Sequence, residues 1–492
     1  MKSSSLLRPG RRLAYGVALS AVFAVAGCAM APTTVRPVAP VAAAYPSQAD
    51  QAAAPAAVAA ADLGWRDVFR DPVLQQLIAT SLDANRDLRV TALNVEAARA
   101  QYRIRRADSL PRIDGVAAGV SQRTPADLSP TGQSEVTRAY EAGGAVTAWE
   151  LDLWGRVRSL NDQALATWLA LDETRTAAQL SLVSEVATAY FTLRTDQALL
   201  ELARDTAEAQ RRSHELTQLL AEVGEAGELD VRRTEIALRS AEADQAVYER
   251  QAAQDLNALT LLIGQPLDAD LARTLQAWAG EPLPDDVVEA NLPAGLPSDL
   301  LDRRPDIRAA EQMLRGADAN IGAARAAFFP TITLTGSAGS ASSDLDNLFS
   351  AGTRSWSFAP RLSLPIFNGG ALSANLDLAK VRQRIEVARY ERAVQAGFRE
   401  VADGLAARDA LERQILSEQQ RVDASRRAYD LAQRRHQEGE DSSLSVLDAQ
   451  RTLYGSEQAL LRARLARLSN LTTLYKALGG GWTEQTQTGG RT

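Results

Sequence analysis

The sequence predicts an α+β chain in which one unit, two strands followed by a hairpin of very long helices, occurs twice. Recurrence is the first observation behind this. Asp87-Leu88-Arg89 and Pro111-Arg112-Ile113 return 219 residues on as Asp306-Ile307-Arg308 and Pro330-Thr331-Ile332. Glu185-Val186-Ala187 returns 215 residues on as Glu400-Val401-Ala402, and Leu229, Val231, Glu242 and Gly264 match Leu444, Val446, Glu457 and Gly479 at that offset. A repeat of roughly 200 residues is a duplicated domain rather than a solenoid unit. The second observation is helix length: Arg156 to Glu222 contains no proline and no glycine. The third is a period of two from Ser355 to Ile366, with Trp356, Phe358, Leu362, Leu364 and Ile366 on one face and Ser355, Ser357, Arg361 and Ser363 on the other.

At the start of the chain, Lys2, Arg8, Arg11 and Arg12 precede an apolar stretch from Leu13 to Ala26. That stretch is too short for a spanning helix, which needs about 20 residues, and it fits a signal peptide over 1–27. It ends in Val25-Ala26-Gly27-Cys28, with the chain's one cysteine at the boundary. Cleavage before Cys28 would take the formal charge from −7 to −11, since four basic residues and no acids leave. Residues 28–62, rich in Ala, Pro and Val, are expected to be an extended tether. Asp71-Pro72 then supplies an N-cap acceptor followed by proline at the first helical position.

The first repeat is placed at 63–264, with strands about 111–122 and 138–153 and a helical hairpin about 156–264. A connector covers 265–304. The second repeat occupies 305–479, with strands about 330–342 and 355–367 and a hairpin about 371–479. Residues 480–492 are expected to be a flexible tail. The hairpins turn at Gly224 and Gly227 in one half and at Gly439 in the other. In the second long helix only Gly397 and Gly404 interrupt the pattern. Small and charged residues dominate these helices, as expected for long helices packed side by side in coiled-coil fashion.

Composition excludes several functions. Net charge is −7, against a general nucleic-acid binder. One cysteine and two histidines allow neither an internal disulfide nor a Cys/His zinc site. Lys2, Lys380 and Lys476 are the only lysines, so a lysine-based phosphate loop or Schiff base has few candidates. Asp285-Asp286 has no neighbouring base, nucleophile or glycine cradle, and no catalytic constellation emerges. His214 and His436, at unmatched repeat positions, are expected to be surface residues rather than metal ligands. No apolar run reaches the length of a membrane helix. The alternating strands suit either a soluble sheet with one wet face or a sheet in lipid. Four strands cannot close a barrel, and open edges in lipid would leave backbone groups unpaired. Strands in a membrane would therefore require several chains sharing one barrel; three chains would supply twelve.

The stretch Gly295-Leu-Pro-Ser-Asp-Leu-Leu-Asp-Arg-Arg-Pro-Asp-Ile-Arg-Ala-Ala-Glu311 closely resembles the signature of the TolC-like outer membrane factors. The match is to the lipoprotein branch that serves resistance-nodulation-division efflux pumps, the NodT family. Asn85-Arg86-Asp87-Leu88, Phe329-Pro330, Leu364-Pro365-Ile366-Phe367-Asn368-Gly369-Gly370 and Leu444-Ser445-Val446-Leu447-Asp448-Ala449-Gln450-Arg451 extend the resemblance from about Trp65 to Leu478. It implies an α+β membrane protein: a homotrimer with a twelve-stranded β-barrel in the outer membrane of a Gram-negative bacterium and an α-helical tunnel in the periplasm. It also implies an equatorial region made from the N-terminal helix, 265–304 and the C-terminal end. The implied role is a passive exit duct for small molecules, working with a periplasmic adaptor and an inner-membrane transporter, with no catalysis. No cofactor is implied beyond a covalent lipid on Cys28, where Val25-Ala26-Gly27-Cys28 looks like a lipobox. By the same resemblance Leu444, Asp448 and Arg451 are candidates for a periplasmic gate, one helix face whose three copies would stack as apolar, anionic and cationic rings. A plainer reading of Asp448 and Arg451 is an ion pair on a solvated helix face. The turns at Gly224, Gly227 and Gly439 are candidates for adaptor docking. A type I secretion channel of the same architecture, or a periplasmic coiled-coil scaffold, are the alternatives.

Overall fold

The computed structural model describes residues 30–45, 59–277, 284, 286–290, 292–293 and 297–486. Helices α1 (Pro72–Ala84) and α2 (Arg86–Ala107) lead into strands β1 (Ile113–Thr124) and β2 (Glu135–Glu150). The first long hairpin is α3 (Arg156–Glu222) and α4 (Glu228–Ile263), followed by α5 (Ala269–Ala277). The second half repeats the order as α6 (Pro305–Ala326), β3 (Thr331–Ser342), β4 (Arg354–Ser363), α7 (Ala371–Gln437) and α8 (Ser443–Ala477). Among the described residues no helix is long and apolar enough to cross a membrane.

The chain divides into two units. The first comprises Met1–Val38, Val95–Leu171 and Ala310–Tyr390; the second comprises Ala39–Asn94, Asp172–Ala309 and Glu391–Thr492. In the first unit the strands form one antiparallel sheet in the order β1-β2-β3-β4. Directly paired residues share a face. One face therefore carries Ile113, Val146, Trp149, Ile332, Leu334, Trp356, Phe358 and Leu362. Of these, Ile113, Trp356, Phe358 and Leu362 are solvent-exposed in the isolated chain, Trp356 to 80%, while Val146, Trp149, Ile332 and Leu334 are half-buried. The ladder slips between Val146 and Trp149, where Ala148 sits at a φ of 49°, a bulge that ends the regular part of β2. β4, at ten residues, is shorter than the expected span of about 355–367. It stops at Ser363, and Leu364 and Ile366 lie beyond it around Pro365, which has no N–H to continue a ladder.

The start of the expected tether is not loose. Arg36 pairs with Glu311 of α6 at 2.7 Å, Arg315 braces the same carboxylate at 2.7 Å, and the Met30 carbonyl accepts from Arg325 at 3.0 Å. Gly322 admits this segment: a Cβ there would lie 2.8 Å from the Ala31 backbone nitrogen.

In the second unit α1 begins as the Asp71-Pro72 pattern requires. The Asp71 carboxylate accepts from the backbone nitrogens of Val73 and Leu74, at 2.8 and 3.2 Å, and from the Tyr190 hydroxyl at 2.7 Å. The connector is tied in by Phe69 pairing with Val288 and by an ion pair between Arg70 and Glu289. The end of the chain, expected to be a flexible tail, is docked as far as Thr486. Trp65 donates to the Thr483 carbonyl at 3.0 Å, Arg66 pairs with Glu484 at 2.7 Å, and the Thr486 hydroxyl bonds Asp67. The cause is polar pairing with residues some 420 positions away, which leaves no periodic trace in the sequence. Residues 487–492 and the signal segment 1–27 lie outside the described residues.

The glycines that interrupt α7 do not break it; they clear room for neighbours. A Cβ at Gly397 would lie 3.1 Å from the Arg304 guanidinium, and one at Gly404 would lie 3.0 Å from Leu474.

Candidate functional site

Three features of the second unit are candidates: the hairpin turns, a cavity beside them, and the polar junction around Arg304. The turns repeat each other atom for atom. Gly224 and Gly439 have φ of 83° and 80°, and each follows the last turn of its long helix. The amides of Glu225 and Ala226 donate to the Leu220 carbonyl, and those of Glu440 and Asp441 donate to the Arg435 carbonyl. This is the left-handed C-terminal closure that glycine adopts without a Cβ penalty. Nothing lies within 4 Å of a Cβ at either glycine, so both turns project into open space. Gly227 closes the first turn in a different way from Gly224. Its φ is −88° and it caps α4, a place that Ser442 takes in the other half. The second turn is also charged: Arg435 pairs with Asp441 at 2.8 Å and Glu440 at 3.1 Å, and His436 bonds the Asp441 carbonyl at 2.9 Å. The Asp441 carboxyl is held below its usual range, chiefly by the hydrogen bond from Arg435.

Leu444, Asp448 and Arg451 come together on α8, one to two turns from that end, and line a cavity of about 480 Å³. The opposite wall is α4, which contributes Arg233 and Ile236, the repeat equivalents of Asp448 and Arg451. The duplication therefore turns equivalent helix faces toward one space. Arg451 pairs with Asp448 at 2.7 Å within α8, and both side chains are mostly exposed, at 83% and 62%. In the single chain this is the plainer solvated ion pair; such contacts contribute about 0.3–0.5 kcal/mol. Within the lining of the cavity the hairpins are joined by Gln210 to Gln450 at 2.9 Å and by the Tyr454 hydroxyl to Asp244 at 3.2 Å.

His214, expected at the surface, is buried in this unit, and its Nδ1 lies 3.0 Å from the Thr234 hydroxyl. A partner on α4 accounts for it. Among the described residues no cluster of three or more His, Cys, Asp and Glu is placed to hold a metal. Cys28 and Asp285 lie outside the described residues.

Arg304 has a role that sequence reasoning missed. Its guanidinium, 9% exposed, grips Asp306 at 2.6 Å and 3.0 Å, reaches Glu400 at 2.7 Å, and donates to the Ala477 carbonyl at 3.0 Å. Burial works to lower its pKa, but the hydrogen bonds and charges of Asp306 and Glu400 outweigh this and hold it above the usual value. The first half solves the same problem with Asn85, which donates to the Leu262 carbonyl at 2.8 Å. Asn85 and Arg304 are repeat equivalents, as are Leu262 and Ala477. Both satisfy a carbonyl orphaned at the end of a returning hairpin helix.

Asp196 of α3 and Asp255 of α4 form a carboxyl pair opposite Arg462. Burial, then the hydrogen bond and charge of Asp255, push Asp196 up to about 6, while Arg462 opposes this. Asp255 is also raised by burial. Neighbouring carboxyls that are both raised favour sharing one proton. A carboxyl whose folded pKa lies above its ordinary 3.8 stabilises the fold while protonated, and that contribution is lost as pH rises through about 6. The solubilised protein should therefore gain thermal stability between pH near 7.5 and pH near 5, and Asp196→Asn should shrink the gain. An undiminished gain in the variant would refute the shared proton.

A family profile described as "Outer membrane efflux protein" matches residues 77–265 and 296–480, once in each half. The chain is 50% identical over 465 residues to the "Probable efflux pump outer membrane protein TtgC" of Pseudomonas putida, covering 94% of this chain and 95% of that protein. Among solved structures, a membrane protein from Pseudomonas aeruginosa superposes with a TM-score of 0.84 at 43% identity, over 92% of this chain and all of that one. The open state of the Neisseria gonorrhoeae MtrE outer membrane channel gives 0.83 at 41% identity, over 94% of this chain and all of that one.

Proposed function

Because the chain belongs to the outer membrane efflux protein family, we propose that three copies of its sheet close a twelve-stranded barrel, with the long hairpins forming the tunnel that feeds it. The protein is an outer-membrane efflux channel, the passive exit duct of a pump, and carries out no catalysis. Such a duct works with an inner-membrane transporter that supplies energy and a periplasmic adaptor that joins the two.

The observation that carries the trimer is the open sheet. Its exposed apolar face suits lipid, yet β1 and β4 are each paired on one side only among the described residues. Unpaired strand edges in hydrocarbon are too costly to persist, since each unsatisfied backbone group costs several kcal/mol. Further copies supply the partners, and twelve strands fall within the range of known barrels.

Lipidation of Cys28 is the second part of the proposal. Met30 sits on Arg325, six residues before β3 begins at Thr331. Cys28 is two residues upstream, within about 7 Å of chain reach. An acyl group there would enter the membrane beside the base of the barrel. The projecting turns at Gly224 and Gly439, with Gly227 capping the helix that follows the first, are the proposed adaptor-docking surface. Leu444, Asp448 and Arg451 are the proposed gate.

Native mass spectrometry of the detergent-extracted protein tests the first two parts together. The expected result is a trimer of chains that start at Cys28, each carrying acyl mass. A monomer or dimer would remove the shared barrel, and a trimer without acyl mass would remove the anchor alone.

A further inference from the structure

The sheet sorts its charges by face. On the face of Asp114, Glu135, Glu141 and Glu150, the only strand cation is Arg361. The opposite face, the one that bears Trp356 and Phe358, carries no acid at all. Its only charged residues are Arg123, Arg138 and Arg354. All three lie at the ends of the strands joined by the loops 125–134 and 343–353, away from the ends that lead into α3 and α7. The margin near those helices, formed by Ile113, Trp149, Ile332 and Leu362, is uncharged.

The duplication repeats this arrangement. Arg138-Ala139-Tyr140 on β2 returns 216 residues on as Arg354-Ser355-Trp356 on β4. In each strand an aromatic residue on the apolar face is followed, two positions nearer the loops, by arginine on the same face. All three arginines are exposed. Arg123 donates to the Ser134 hydroxyl at 2.9 Å; neither Arg138 nor Arg354 has an ion-pair partner among the described residues. Aromatic residues mark the interface of a barrel with its membrane, and a cation just beyond them meets the headgroups.

We propose that Arg123, Arg138 and Arg354 form a docking surface for the phosphate groups of the outer leaflet's anionic glycolipid, lipopolysaccharide. The inference rests on the barrel reading above, which puts the loop ends of the strands in the outer leaflet. One membrane margin is cationic and the other uncharged, and this matches a bilayer whose two leaflets differ in phosphate density. Guanidinium groups bind phosphate through paired N–H donors, and three of them on a face without carboxylates have no competing acceptor.

The test uses the full-length protein in detergent, stripped of lipid in the presence of a chelator and analysed by native mass spectrometry. The probes are bisphosphoryl lipid A, dephosphorylated lipid A, phosphatidylglycerol, and inorganic phosphate as competitor. Bisphosphoryl lipid A is expected to bind about tenfold more tightly than the dephosphorylated form. The triple variant R123Q/R138Q/R354Q is expected to keep the trimer mass and lose that preference. Equal binding of the two lipid A forms, or an undiminished preference in the variant, would overturn the proposal. Phosphatidylglycerol binding as well as bisphosphoryl lipid A would reduce the surface to a generic contact with anionic lipid and overturn it too. Displacement by inorganic phosphate at equal concentration would mean a free-anion site instead. A chain that is not trimeric would fail the barrel reading itself; a trimer indifferent to phosphate fails this inference only.

Discussion

Arg304→Ala is expected to cost about 2–3 kcal/mol of fold stability, read as a lower guanidinium midpoint followed by helical circular dichroism. The substitution removes a buried cation and strands three acceptors: the Asp306 and Glu400 carboxylates and the Ala477 carbonyl. A fully buried pair broken in this way costs about 3–5 kcal/mol. Here the figure falls lower because Asp306 and Glu400 are about two-fifths exposed and recover some hydration. Arg304→Lys keeps the charge but loses the fork, so it should recover only part of the loss. Gly397→Ala approaches the same junction from α7, pushing a methyl against the guanidinium, and should cost about 1–3 kcal/mol as overpacking does. An Arg304→Ala midpoint indistinguishable from wild type would mean that the network is decorative.

The elements of this fold were legible where physics is local. A run of 67 residues without proline or glycine becomes the helix Arg156–Glu222, because nothing inside it interrupts the hydrogen-bond ladder. Strand alternation was legible on β4, where large and small side chains contrast. It was hidden on β1 and β2, where glycine and alanine occupy the apolar face and only the register with β3 shows which side is which. Long-range polar contacts were illegible. Nothing near Arg36 in sequence announces Glu311, and nothing near Asp67 announces Thr486. Gly397 and Gly404 read as interruptions because their reason lies on other elements. At the candidate site, Leu444, Asp448 and Arg451 were recognisable from their motif. Arg233 and Ile236 could be found only by carrying those positions back across the repeat, and their meeting in one cavity required the hairpins to be folded.

Asp448→Ala and Arg451→Ala should each raise the single-channel conductance of the reconstituted trimer severalfold, with opposite changes in ion selectivity. Within one chain the two side chains pair along α8 and are mostly exposed, so the pair itself stores little energy. That makes it easily redirected. Three copies brought around one axis would place Asp448 and Arg451 where each can pair with a neighbouring chain as readily as with its own helix, and such rings narrow a pore and bias the ions that pass. Removing Asp448 leaves Arg451, and Arg233 across the cavity, with fewer balancing carboxylates, so the wider pore should favour anions. Removing Arg451 leaves Asp448 less compensated and should favour cations. A solvated surface pair predicts neither change, only the loss of roughly 0.3–0.5 kcal/mol from one helix. Unchanged conductance in both variants would therefore assign Asp448 and Arg451 to that plainer role and leave the apolar ring of Leu444 as the remaining barrier to test.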